Sequence, residues 1–126
     1  MKYVHIIPLA AIVCLLHGCA GVILAGGAAG STFVYLNGEL KTQEEVSLEK
    51  LYAAALRMTD KMDFEIQEKS KDGLTGRIYA KGAGDKDIYI NMKSLDENNT
   101  ELRIRIGIIG DEVMSKRIHK EILKQL

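Results

Sequence analysis

Glu101-Leu102-Arg103-Ile104-Arg105-Ile106-Gly107-Ile108-Ile109-Gly110-Asp111-Glu112 decides the fold. Leu102, Ile104, Ile106 and Ile108 recur at every second position, the period of a strand with one buried face. Gly110 ends that period. Asp111 then stands where a helix N-cap is expected, with Glu112 in the first turn. Beyond it Met114, Ile118, Ile122 and Leu126 recur at helical spacing. A one-faced strand running into a one-striped helix requires two layers, each covering the other's apolar side.

Upstream, the same period repeats. Phe64 and Ile66 alternate with Glu65 and Gln67; Leu74, Ile78 and Ala80 follow, then Ile88, Ile90 and Met92. Turns are expected at Lys71-Asp72-Gly73, Gly82-Ala83-Gly84-Asp85 and Asp96-Glu97-Asn98-Asn99, all rich in residues that tolerate tight backbone geometry. Before this meander, Ser47 caps a helix whose inward stripe is Leu48, Leu51, Tyr52, Ala55, Thr59 and Met62. Phe33 to Leu40 reads as a first strand. The expected fold is α+β: a two-layer sandwich over residues 33–126, with an antiparallel sheet in the order β-α-β-β-β-β-α covered by two helices.

The front of the chain follows different rules. After Lys2 the next charged residue is Glu39. Met1 to His5 is a weakly positive start, and Ile6 to Leu16 is an apolar run of secretory-signal length, too short to span a bilayer. Leu16-His17-Gly18-Cys19 then resembles a bacterial lipobox. Gly18 is small enough for a peptidase pocket, Leu16 supplies the apolar residue two places earlier, and Cys19 offers the thiol to be acylated. His17 departs from the usual small residue. Cys14 follows the bulky Val13 and competes poorly. Residues 1–18 are therefore read as a lipoprotein signal peptide. Residues 19–32 form a glycine- and alanine-rich, membrane-proximal spacer in which Gly26 and Gly30 have the GxxxG spacing of close helix pairs. A spacer and a self-associating helix are both compatible with that pattern. Cleavage before Cys19 removes Cys14, His5 and His17, leaving no second thiol for a disulfide.

The charges balance, 17 Lys and Arg against 17 Asp and Glu. A nucleic-acid partner is not expected from such a chain. Three segments, Val34 to Leu40, Glu68 to Ile78 and Arg103 to Glu112, followed by Ser115 and Ile118, stand in an order similar to an uncharacterised family of small bacterial envelope lipoproteins. That resemblance spans nearly the whole chain. It implies a small α+β body, a membrane partner reached through lipidated Cys19, and a periplasm-facing place at the outer membrane, since Ala20 rather than Asp follows the cysteine. It brings no activity.

The residues point to no enzyme, cofactor or metal. His119, the one histidine left after cleavage, reads as a solvent-facing helix residue. Ser115 stands one turn away, without an oxyanion or nucleophile-elbow signature. Asp111 and Glu112 place negative charge where a phosphate would sit at the helix start. The turn carboxylates lack the spacing of a calcium loop. One constellation remains. With Ile78, Ile90 and Ile104 inward, the opposite sheet face carries Arg77, Tyr79, Tyr89, Lys93, Arg103 and Arg105, residue types that interfaces favour. Two functions are expected from it: a structural or adaptor role towards another envelope protein, or a module binding an anionic glycan, lipid headgroup or peptide. A concave face favours the second and a flat one the first.

Overall fold

In a computed structural model the described residues are 33–126. They form β1 (Phe33–Leu36), β2 (Glu39–Glu44), α1 (Leu48–Lys61), β3 (Glu65–Lys71), β4 (Thr75–Lys81), β5 (Asp87–Asp96), β6 (Asn99–Ile106) and α2 (Glu112–Lys124). The order is the expected β-α-β-β-β-β-α, with its leading strand folded on itself. Asn37 and Gly38 both take positive φ, 53° and 80°, the geometry of a two-residue hairpin turn. Leu40 consequently pairs back onto Tyr35 instead of extending its strand.

All six strands are antiparallel neighbours in the order β1-β2-β6-β5-β4-β3. β6, the last strand made, lies between β2 and β5, so it joins the N-terminal hairpin to the meander. Both helices lie on one face: α1 contacts β3, β4, β5 and β6, while α2 contacts β2 and β6. Ser47 caps α1 by accepting from the Lys50 amide, and Asp111 caps α2 by accepting from the Met114 amide at 2.9 Å. These bonds satisfy amides that a helix start leaves without internal partners.

Leu51, Ala54 and Met58 of α1, and Ile118 and Ile122 of α2, close over Leu40, Ile78, Ile90, Leu102 and Ile104, all buried. Gly76 has a specific role beneath α1: a side chain there would collide with the Tyr52 ring. No helix among the described residues is long and apolar enough to cross a membrane.

Several expected inward residues are not buried. Ile66 keeps the covered side, opposite buried Ala80, but lies on the edge strand and is exposed; the bulge that shifts the alternation follows it, before Glu68. Leu74 stands in the β3–β4 turn, and Leu126 follows the end of α2; both are exposed. β6 ends at Ile106, because Gly107 takes a positive φ of 66° and turns the chain, leaving Ile108 in solvent.

Candidate functional site

Among the described residues, no element covers the face away from the helices. Strand register aligns its side chains in rows across the sheet. One row runs Glu39, Arg105, Tyr89, Tyr79, Glu68. The next runs Lys41, Arg103, Asn91, Arg77, Ser70. A third holds Gln43, Glu101, Lys93 and Thr75. This register follows from the alternation: fixing Ile78, Ile90 and Ile104 in the core fixes their sequence neighbours outside.

The middle rows enclose a trough of about 630 Å³, whose lining includes Arg77, Tyr79, Tyr89, Lys93 and Arg103. Asn91 lines it between Arg77 and Arg103, with a shorter side chain than either. At one end the rings of Tyr79 and Tyr89 stack with centroids 4.9 Å apart and planes within 8°. Tyr79 donates its hydroxyl to Asp87 at 2.7 Å, and Lys81 pairs with the same carboxylate at 2.7 Å. Lys81, then Tyr79, hold the Asp87 carboxyl below its ordinary range. The bond to Asp87 raises Tyr79 in turn, so both groups keep their ordinary charges around neutrality.

The cations of this face fall into two groups. Arg103 is held by Glu101 at 2.7 Å, with Glu39 at 3.9 Å, and Lys41 also reaches Glu101. Burial tends to raise the Glu101 carboxyl, but Arg103 and then Lys41 outweigh it and the net shift is downward. Arg105 lies outside the trough and performs a structural task. It donates to the carbonyls of Asn37 at 2.9 Å and Ile108 at 3.2 Å, tying the β1–β2 turn to the loop after β6. Arg77 and Lys93, by contrast, pair with no carboxylate among the described residues. They are diagonal neighbours across β4 and β5, because Arg77 pairs with Asn91 and Thr75 with Lys93. Five of the six residues expected on this face therefore line the trough: Arg77, Tyr89 and Lys93 without a polar partner among the described residues, Tyr79 with its hydroxyl bonded to Asp87 and Arg103 already paired, while Arg105 is committed elsewhere.

A second polar cluster lies beneath α2 and escaped the sequence reading. His119 is buried, not solvent-facing, and its Nε2 lies 2.6 Å from Glu44 of β2. The two residues are 75 positions apart, so no local spacing announces the contact. Ser115 is fully enclosed, and neither its hydroxyl nor that of Thr42 has a partner. A hydroxyl without solvent access cannot reach a substrate, so Ser115 and His119 form a core feature and not a nucleophile pair. No group of three or more metal-ligating side chains occurs among the described residues.

A family described as protein of unknown function (DUF3568) matches residues 2–125. The chain belongs to this family. The match spans all but the last residue of the DUF3568 body described above, and extends to Leu16, His17, Gly18 and Cys19, which lie outside the described residues. Among curated proteins nothing matches this DUF3568 chain.

Proposed function

We propose that this chain is a non-enzymatic, peptide-binding module of the bacterial outer envelope, anchored by lipid on Cys19. Its concave trough, in place of the flat contact of an adaptor, holds an extended, carboxylate-bearing segment of another envelope component. The observation that carries the binding part is the unpaired cationic couple, Arg77 with Lys93. The two cations are diagonal neighbours within reach of each other, Glu101 opposite Lys93 is bonded to Arg103 and Lys41 instead, and every neighbouring cation on the face is already neutralised or bonded. An anion placed over Asn91 reaches both. The acids on the rim, Glu39, Glu68 and Glu101, suit backbone amides better than a densely anionic polymer. A carboxylated glycan is the second reading, favoured by the tyrosine pair at the trough's end, whose rings offer apolar surface to a sugar.

The anchor rests on Leu16-His17-Gly18-Cys19 behind an apolar run of secretory length. Several acyl chains on one cysteine hold a protein on a bilayer where a single chain does not. Ala20 after the cysteine favours the outer membrane. The domain boundaries 1–18, 19–32 and 33–126 belong to the same proposal.

The test places a photo-crosslinking residue at Asn91 in the full chain within intact envelopes. A discrete protein adduct is expected, lost in Arg77→Glu with Lys93→Glu and also in Cys19→Ser, which should abolish palmitate labelling. An adduct that survives the double charge reversal overturns the trough. Labelling that persists in Cys19→Ser, or disappears only with Cys14→Ser, overturns the anchor. A glycan-containing adduct selects the second reading.

A further inference from the structure

At one end of the body, the chain displays apolar side chains that the core does not use. Ile108 is 92% exposed and Ile109 90%, with Val113 of α2 at 80% and Leu36 of β1 at 65%. Isolated exposed leucines are ordinary, whereas a contiguous set at one corner calls for an occupant. The register brings these residues to one end: Leu36 pairs with Glu39, which pairs with Arg105, immediately before the loop that carries both isoleucines.

The corner is held, not frayed. Gly107 and Gly110 bracket Ile108-Ile109 with positive φ of 66° and 95°. Arg105 bonds the carbonyls of Asn37 and Ile108, pinning the loop to the hairpin turn. The backbones of Gly38 and Gly110 approach so closely that a side chain at either would collide with the other loop. Asp111 fixes the far side as the cap of α2. Three glycines, an arginine and a capping aspartate thus keep two isoleucines pointed into solvent.

We infer that this corner is a wedge that enters the interfacial region of the lipid bilayer, setting the orientation of the body on the membrane. The inference rests on the Cys19 anchor proposed above. Its occupant follows from where the chain enters. β1 begins at Phe33, and Leu36 closes that same strand. Only residues 20 to 32 separate Phe33 from Cys19, a distance of at most about 45 Å even fully extended. Tethering at that range keeps the corner at high effective concentration near lipid, so shallow insertion of a few side chains suffices. The opposite end also exposes Leu74 and Leu95, but sets them singly among the polar turns at Asp72 and at Asp96, Glu97 and Asn98.

The chain contains no tryptophan, so a single introduced one reports its own surroundings. Full-length lipidated protein carrying Ile109→Trp, or Leu95→Trp at the opposite end, is reconstituted into phosphatidylethanolamine–phosphatidylglycerol vesicles, with and without brominated acyl chains. The expected result is a blue-shifted Ile109→Trp emission, quenched severalfold more by brominated lipid than Leu95→Trp, with quenching reduced by adding Ile108→Asp. Protein that floats with vesicles while Ile109→Trp stays unquenched overturns the wedge alone. A blue shift without quenching means that another protein surface covers the corner, which also overturns it. Protein that fails to float overturns the anchor and the wedge together.

Discussion

Along β5 the covered face carries Ile88, Ile90 and Met92, while the open face carries Tyr89, Asn91 and Lys93. The same strand, hydrogen-bonded on both sides, thus works in two solvents. Its covered residues are held by close packing, where each lost methyl leaves a void. Its open residues are held by register, with only the stacking of Tyr89 on Tyr79 added. The covered face is free to specify the fold because the open face makes few demands, and the open face can specialise because its positions are fixed from behind.

The sharpest way to break this comparison is to change neighbours. Ile90→Ala, at a wholly buried position on an inner strand, should cost about 4 kcal/mol in denaturant unfolding. Asn91→Ala, one residue along, should stay within about 0.5 kcal/mol. Similar costs at both positions would mean that the open face packs against something in the folded protein. Arg105→Ala is the intermediate case, because that open-face residue bonds two carbonyls. It should cost about 1 kcal/mol and speed amide exchange around Gly107 and Ile108, leaving the trough crosslink intact.

The smallest effect concerns acid. The Met114 amide donates to Asp111 and holds its carboxyl below the usual range; the Leu74 and Thr75 amides do the same for Asp72. A carboxyl whose pKa is lower folded than unfolded contributes above its unfolded pKa, and that contribution disappears as pH falls through the folded value. Stability should therefore decline below about pH 4. Asp111→Asn keeps a capping side chain and should flatten part of that decline, as read from urea midpoints against pH. An unchanged slope would assign the acid sensitivity to other carboxylates.

Where sequence spacing expressed a local rule, it was informative. The Ser47 and Asp111 caps, Leu48, Leu51, Ala55 and Thr59 of the α1 stripe and the inward residues of β4, β5 and β6 follow from periods of 3.6 and 2, while Tyr52 and Met62 are only half-buried and Ala54 and Met58 complete the stripe. The Asn37-Gly38 turn was equally local, since Asn-Gly between alternating apolar residues is a strong hairpin signal; reading one strand from Phe33 to Leu40 passed over it. Ile108 leaves its expected place because alternation continues on paper through a positive-φ glycine, whereas Ile66 keeps the expected side and is exposed only because its strand is the sheet's edge. The Glu44–His119 contact and the commitment of Arg105 were beyond reach, since both depend on partners about 70 positions away. For the trough, alternation identified the residues; the diagonal meeting of Arg77 with Lys93 required the register.

The position of β6 bears on how the molecule comes into being. β1 and β2 are finished by Glu44, yet the hairpin's only other strand neighbour is β6, which ends at Ile106. Until that strand emerges, the hairpin has one partner face and no sheet, and a two-stranded ribbon alone is marginal in water. The chain from Phe33 to Ile106 must be available before the hairpin can join the meander, which makes closure of the sheet a late event that waits on a long-range pairing. A chain built this way remains threadable for most of its synthesis and becomes a solid object only when its C-terminal third arrives.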